Sequence, residues 1–494
     1  MSTTLGQLIQ GLPELACDGS VATPLQGITL DSRQAGKGIL FAALPGSSRD
    51  GRDYIPAAIE AGSRVILHDG RTPLPHHPGL ISLSHPNPRQ LLGQLCARFY
   101  DHPEQQLRTI AVTGTNGKTT VAGLCAAILE HLGQTVGLLG TNGSWIAGKK
   151  RPANHTTPDA TTLYPLLREM VDAGCQWLVM EASSHALDQH RMEGITPAAA
   201  LFTNLTRDHL DYHGDMEHYF QAKAKLFSHH QPELAVLPTG TPWAERLQTL
   251  CQDNGIRTLT SSQQSNGADL TIKDLHCSMA GSRFSLCWQG QQAAVALQTP
   301  GHFNVENALL AATALLGLGF SLPLVAEGLN HFTGVAGRMQ RIDLGQPYAV
   351  VVDYAHTPDA LERLLQTAQQ LTPGQIHLLV GCGGDRDRGK RPLMGAIAAQ
   401  RADHLVVTDD NPRSEDPAQI RREVLAGCRE GQAHWVEIAD RADAIKQLIR
   451  QASAGDSVII AGKGHEKVQI SAAGSQPFDD VAVATQAIQS MQGS

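Results

Sequence analysis

Aromatic residues make up only 4% of this 494-residue chain. That is too few for the stacking platforms on which single-stranded nucleic acids lie. Positive charge is also in short supply: 39 Lys and Arg stand against 47 Asp and Glu, a formal net charge of -8. A general nucleic-acid binder carries a basic face, so that class is set aside. The nine cysteines are scattered, and no two form a C-x-x-C pair. Neither a disulfide framework nor a structural zinc site is expected, and reduced thiols of a cytoplasmic protein are. No stretch is long and charge-free enough to span a bilayer. The opening "MSTTLGQLIQGLPEL" has no basic n-region and no cleavage site, so no export signal is expected. Low-complexity and repetitive segments are missing too.

What is present is length and alternation. Domains run about 100–200 residues, so roughly three are expected here. Up to Leu83 the chain holds short strands and turns, then "SHPNPRQ" (Ser84–Gln90), with its two prolines, reads as a linker. From Leu91 strands alternate with helical stretches: "TIAVTG", "TVGLLGT", "WLVMEAS", "AALFTNLT" and "LAVLP". That alternation implies βαβ units and a mainly parallel sheet. The helical "NVENALLAATALLGLG" leads to "TGVAGRMQRI", a second boundary. The fold class expected is α/β in three segments, 1–88, 89–335 and 336–494. The last segment has its own strands, "AVVVDYAHTP", "IHLLVGCGGDRDRGKR", "HLVVTDDNPR" and "SVIIAGKGHEK". Each ends in a polar loop. Ligands of open parallel sheets bind beyond the carboxyl ends of strands, so these loops point to one site. Loops are polar anyway, but the glycine-rich ones favour a binding edge.

"AVTGTNGKTT" (Ala111–Thr120) is a strand, a glycine turn and a helix start. The common phosphate loop, G-x-x-x-x-G-K-[ST], needs a glycine where this chain has Val112. Gly114 and Gly117 still let backbone N–H groups of Thr115 and Asn116 approach phosphate oxygens. Lys118 adds a point charge, and the Thr119 and Thr120 hydroxyls follow, Thr119 as a candidate Mg²⁺ ligand. A plain strand–turn–helix connection has no need of Lys-Thr-Thr. Glu181 ends another apolar strand, "LVMEASSH", where a second-strand acid holds Mg²⁺ in many nucleotide enzymes. Read locally, the same residues are only a helix cap. "TNLTRDHLDYHG" groups Asn204, Asp208, His209, Asp211 and His213, but its spacing matches no zinc pattern. Lys223 and Lys225 in "EHYFQAKAKLF" are by default solvated helix lysines.

"GTNGKTT", "EASSH", "NLTRDHLDYHG", "AKAKLF", "HFNVENALLAA", "GRMQR" and "DYAHTPDAL" together resemble the Mur ligase family over nearly the whole chain. The family's short G-x-x-G-K-T loop accounts for Val112. The resemblance implies ATP-dependent amino-acid addition to bacterial cell-wall (peptidoglycan) precursors in the cytoplasm. It also implies an N-terminal UDP-binding segment, a central P-loop-type ATPase and a Rossmann-like C-terminal segment. "DNPR" and "GKGHE" are similar to the members that add meso-diaminopimelate to the D-Glu of UDP-MurNAc-L-Ala-D-Glu through an acyl phosphate.

The resemblance also assigns residues. Lys118, Glu181, His209 and Lys223 are the catalytic set. Thr119 and Glu181 hold one Mg²⁺, and His209 with Lys223 a second, Lys223 being carbamylated by CO₂ because an ammonium cannot bind a cation. Choosing Lys223 over Lys225 rests on the motif F-x-A-K-A-x-L-F. ATP is met by the loop Gly114–Thr120, by Asn307 (preferred to Asn304), by Arg338 and by Asp353. The UDP-sugar peptide is met by Leu30, Ser32, Ser47, Ser48, Arg49, Thr156, Thr157, Ser183, Gln189 and Arg191, with His155 an open question. Diaminopimelate is met by Arg386, Asp410, Asn411, Pro412, Arg413, Gly462 and Glu466. Its far end is a zwitterion, which arginines and carboxylates together suit. A monomer, with no nucleic-acid partner and no membrane span, is expected.

Three alternatives stand beside this. A folylpolyglutamate synthase shares the phosphate loop but would lack the N-terminal segment and "DNPR". A GTPase switch needs N-K-x-D, which is not in the sequence. A lysine-adding ligase has no distal carboxylate for Arg413 to bind and is the nearest runner-up.

Overall fold

The computed structural model describes residues 3–46, 50–71, 73–151, 155–264 and 267–492. By its contacts the chain divides into two compact units. One is Met1–Thr260 with Thr313–Gly319, and the other is Ser261–Ala312 with Phe320–Ser494.

The first unit opens with a five-stranded sheet in the order Ala16–Asp18, Ile81–Ser84, Val65–His68, Ile39–Ala42, Gly27–Thr29. Its strands pair in parallel except Ala16–Asp18, which runs against Ile81–Ser84. The expected linker through Gln90 is shorter than read, because a helix starts at Pro88 (Pro88–Phe99). Proline suits a first helical position, where its missing N–H costs nothing. The Asn87 side chain accepts the Gln90 N–H at 3.3 Å and caps the helix. Leu91 and Leu95 of this helix share one apolar cluster with Leu25 and Leu83 before it and Leu163, Tyr164 and Met180 after it. The core therefore runs without a break across residue 88.

The larger sheet of this unit carries the phosphate loop. Its order is Lys149–Arg151, Gly143–Ile146, Val136–Gly140, Trp177–Glu181, Arg108–Thr113, Ala199–Phe202, Leu234–Pro238, Arg257–Ser261. The central pairs are parallel, and the first two strands form an antiparallel hairpin at the edge. In the middle, Ile110, Ala111, Val112, Leu178, Val179 and Met180 are fully buried. Such unbroken apolar runs mark strands covered on both faces.

The second unit begins with an antiparallel meander, Leu270–Ser278, Gly281–Trp288 and Gln291–Leu297. Its main sheet has six strands in the order Gln340–Arg341, Ala349–Asp353, Ser457–Ala461, Ile376–Val380, His404–Val407, His434–Glu437. All pair in parallel except the first. Alternate residues feed two separate cores. Val351, Leu378, Val380, Leu405 and Ile459 lie in one, and Val350, Val352, Leu379, Val406 and Ile460 in the other. A period of two across a doubly covered sheet dictates this split. A small hairpin, Val468–Ser471 with Gly474–Pro477, follows the last parallel strand.

Candidate functional site

In the first unit the phosphate loop joins the strand Arg108–Thr113 to the helix Lys118–His131. Gly114 has φ +145° and Gly117 φ +87°, and a Cβ at Gly114 would overlap the Thr203 hydroxyl. The next strand's end holds the loop in place. The Thr115 N–H donates to the Asn204 carbonyl at 2.9 Å, the Asn116 N–H to Asn204 Oδ1 at 3.0 Å, and Thr203 Oγ1 to the Asn116 carbonyl at 2.6 Å. Lys118 Nζ donates to the carbonyls of Gly114 at 3.0 Å and Thr115 at 2.8 Å. Thr119 and Thr120 follow in the first helical turn, Thr120 buried.

Glu181 ends the strand paired with Arg108–Thr113, directly opposite Val112. Its carboxylate is 1% exposed. It accepts the Thr141 N–H at 2.8 Å and the Thr141 hydroxyl at 3.2 Å. A Cβ at Gly140 would strike Glu181 Oε1, so glycine is what lets the strand pass the acid.

Lys223 and Lys225 part company. Lys223 is 1% exposed, donates to the Gly114 carbonyl at 2.7 Å, and lies 4.4 Å above the Tyr219 ring. Burial, with the Lys118 charge beside it, holds its ammonium far below the usual lysine range. Lys225 instead pairs with Asp188 at 2.7 Å on the surface. His209, in the left-handed region at φ +53°, precedes the short helix Leu210–His213. Burial lowers its pKa; Asp208 opposes this, and Lys118 and Lys223 add to it. The phosphate loop, Glu181, His209 and Lys223 thus form one cluster.

Beside it, the Thr157 hydroxyl donates to the Glu181 carbonyl at 2.7 Å and accepts the Ser183 N–H at 3.1 Å. Thr156 Oγ1 sits 3.1 Å from Thr141 Oγ1. Arg191 donates to the Thr157 carbonyl at 2.9 Å and to Gln189 Oε1 at 2.8 Å. These five residues are therefore contiguous. His155 is exposed. Leu30 and Ser32 belong to the N-terminal sheet's edge, where Asp31 caps a short turn starting at Ser32. Ser47, Ser48 and Arg49 lie outside the described residues.

The second unit gathers the loops of its strand ends. Asp410, Asn411 and Pro412 are buried and Arg413 half-buried. Asn411 Nδ2 donates to Glu466 Oε2 at 2.7 Å. Arg413 has φ +52°; its N–H reaches the Ile470 carbonyl at 3.0 Å and its guanidinium the Gly384 carbonyl at 2.7 Å. A Cβ at Gly462 (φ +113°) would press on Asp410 Oδ2. Arg386 is exposed and donates to the neighbouring Asp385 carbonyl at 2.9 Å. Asp353 accepts the N–H groups of Met339 at 2.7 Å and Ala355 at 2.8 Å; burial raises its pKa against the pull of Arg338. Arg338 stacks 4.8 Å over the Tyr354 ring. Asn304 spends its amide on the Pro300 carbonyl at 2.8 Å, while Asn307 is buried one turn on in the helix His302–Gly317.

Three family profiles match in chain order: the Mur ligase family catalytic domain over residues 24–100, the Mur ligase middle domain over 112–315, and the Mur ligase glutamate ligase domain over 337–464. The chain is 40% identical over 468 residues to a UDP-N-acetylmuramoyl-L-alanyl-D-glutamate–2,6-diaminopimelate ligase of Geobacillus thermodenitrificans, covering 93% of this chain and 94% of that one. It is 43% identical over 473 residues to the ligase of the same name from Gloeobacter violaceus, covering 94% of each. The chain belongs to the Mur ligase family. A solved structure bearing the same ligase name matches this Mur ligase with a TM-score of 0.73 at 37% identity over 100% of both chains. A Thermotoga maritima MurF ligase in complex with ADP shares the fold, with a TM-score of 0.61 at 18% identity.

Several residues of this Mur ligase's site escaped the sequence reading. Thr141 orients Glu181, and Tyr219 meets both Lys223 and the Thr115 hydroxyl, the latter at 3.2 Å. In the second unit Glu415 is a hub: it accepts from Arg391 and Arg388, each at 2.9 Å, and from the Asp385 N–H at 2.6 Å. Hydrogen bonding to Arg391 leads the causes that hold its carboxyl down at about 2. Thr141 alone had a signal, since it stands at the end of a parallel strand. Tyr219 and Glu415 reach segments far away in sequence, at Thr115 and Arg391.

Proposed function

We propose that this Mur ligase joins meso-2,6-diaminopimelate to the D-Glu residue of UDP-MurNAc-L-Ala-D-Glu, consuming ATP and releasing ADP and phosphate. The γ-carboxylate of D-Glu attacks the γ-phosphate of ATP, and the resulting acyl phosphate is opened by a neutral amine of diaminopimelate. The work left to the protein is positioning and charge neutralisation. The N–H groups of Gly114–Gly117 and the Lys118 ammonium hold the phosphates. Asn307 reads the adenine, Asp353 holds the ribose, and Arg338 neutralises phosphate charge. Thr156, Thr157, Ser183, Gln189 and Arg191 hold the dipeptide end, while Leu30, Ser32 and the segment Ser47–Arg49 hold the uridine end.

Glu181 and Thr119 offer hard oxygen atoms, which fit Mg²⁺. The Lys223 ammonium does not fit a cation, and the buried amine's lowered pKa favours the neutral form that reacts with CO₂. As a carbamate, Lys223 would supply an oxygen beside His209 for a second Mg²⁺. The metal's contribution is to offset negative charge on the phosphates. In this reading residues 1–88 serve the UDP end, 89–335 the ATP and 336–494 the amino acid, and the enzyme works as a cytoplasmic monomer. All nine cysteines are free, which suits a reducing compartment. Among the described residues no helix is long and apolar enough to cross a membrane.

The observation that carries the choice of amino acid is the "DNPR" turn lying against Glu466: guanidinium, amide and carboxylate on adjoining loops match a zwitterionic end. The test is ADP release with UDP-MurNAc-L-Ala-D-Glu across a panel of amino acids. Release should require meso-diaminopimelate. Equal turnover with L-lysine would reassign the specificity.

A further inference from the structure

Lys463 has no part in the reading above, yet its charge is fully enclosed at the amino-acid pocket. Its side chain is 0% exposed. An ammonium out of water is costly unless its donors are satisfied. Lysine has three N–H donors, and Lys463 Nζ has three acceptors: Val468 O at 2.7 Å, Asn411 Oδ1 at 3.0 Å and Glu466 Oε2 at 3.2 Å. Two of them are side chains of the pocket itself.

We propose that Lys463 is the positioning residue of the amino-acid pocket, its ammonium fixing how Asn411 and Glu466 face the incoming amino acid. Asn411 Oδ1 also accepts the Ile470 N–H at 2.9 Å. With two donors on Oδ1, the amide can point only one way, and Nδ2 is turned to Glu466. Glu466 in turn has Oε2 held by both Asn411 and Lys463, which leaves Oε1 outside this network to meet a substrate ammonium. The bond to Val468 O extends the same control to the hairpin Val468–Pro477. That hairpin braces the "DNPR" turn, through Gln469 Nε2 to the Asp410 carbonyl at 2.8 Å and the Ile470 carbonyl to the Arg413 N–H at 3.0 Å. Local sequence makes the inward turn possible: Gly462 at φ +113° and Gly464 at φ +53° flank Lys463 after a fully buried strand.

The inference rests on the pocket being the amino-acid site, and the test separates the two. Steady-state kinetics of the full-length enzyme are measured for wild type, K463M, E466Q and K463M/E466Q. Wild type that turns over without diaminopimelate defeats the reading of the pocket. Given a dependent wild type, K463M should raise the KM for diaminopimelate about tenfold or more, the equivalent of one lost charged hydrogen bond, and leave the KM for ATP and for the UDP substrate within about twofold. E466Q should then cost less in the K463M background than alone, since Glu466 has already lost its orientation. Equal KM shifts for all three substrates, or additive effects of the two substitutions, overturn the proposal. Should K463M not fold, K463Q, which keeps a neutral donor for Val468 O, takes its place. Failure of both to fold assigns Lys463 to the architecture alone and likewise overturns it.

Discussion

The phosphate loop and the "DNPR" turn both follow parallel strands, yet buried ion pairs surround only the second of the two in the contacts described above. The phosphate loop is fixed by neutral groups. Thr203, Asn204 and backbone carbonyls hold its shape, and its two lysines, 118 and 223, share one carbonyl, that of Gly114. Around the "DNPR" turn, neutral bonds from the hairpin are joined by buried charge. Arg391 is enclosed between Glu415 and Glu423 at 2.9 and 2.6 Å, and Lys463 is enclosed against Glu466. Under the proposed function the difference follows from the ligands. A polyphosphate is wholly anionic and asks for N–H groups and cations, while a nearby acid, Glu181, is held by Thr141, where it would take a metal ion. A zwitterionic amino acid needs both signs at fixed spacing, and buried ion pairs hold such spacing because breaking one strands a charge.

The severest way to break this contrast is at the buried lysine of the neutral side. Lys223→Ala should abolish ligation, by about a thousandfold, since a group aimed at transition-state charge is lost. Short-chain carboxylates such as acetate should partly restore it by supplying the missing anionic oxygen, and thermal unfolding should show a folded protein. A fully active variant would end the carbamate reading, and an inactive one that carboxylates do not rescue would leave Lys223 an unmodified amine.

How much of this was legible in the sequence divides along the same line. The phosphate loop, Glu181 and the parallel strands could be read because each announces itself within about ten residues: an apolar run, then glycine, lysine or acid. The meander Leu270–Leu297 went unread, since "LTIKDLHCS" and "QQAAVAL" each bury only two positions. An antiparallel strand covered on one face leaves only a faint alternation. The helix at Pro88 was misjudged as linker because two prolines look like a break, while Asn-Pro is also how a helix begins. On the charged side the motif residues were legible and their supports were not. Arg391 and Glu415 are 24 residues apart, and Lys463 and Asn411 are 52. No local pattern marks such pairs, although Lys463 stood inside a motif already singled out.

A milder break falls on the charged side. Arg413→Ala should raise the KM for diaminopimelate roughly 10- to 100-fold, which is what one or two charged hydrogen bonds are worth, with the KM for ATP almost unmoved. It should also narrow the preference over L-lysine, because lysine never used the distal carboxylate site. If the diaminopimelate kinetics stay unchanged, the turn is only scaffold.

The smallest expected effect is the sharpest test of the neutral side, because it compares two lysines two residues apart on one helix. Lys225 is two residues beyond Lys223 on the helix Met216–Ser228, so their side chains leave it in different directions. Lys225 ends at a half-exposed Asp188, and such pairs contribute about 0–1 kcal/mol. Lys225→Met should therefore change the unfolding temperature and kcat little. An indirect route leads to the proposed substrate residue Gln189: Asp188 also accepts from the Tyr212 hydroxyl at 3.0 Å, which in turn accepts from Gln189 Nε2 at 3.1 Å. A shift of about twofold in the KM for the UDP substrate is the expected trace of that chain. If Lys225→Met were instead as damaging as Lys223→Ala, burial at the Gly114 carbonyl would no longer distinguish the two, and the choice of lysine would have to be made again from the chemistry.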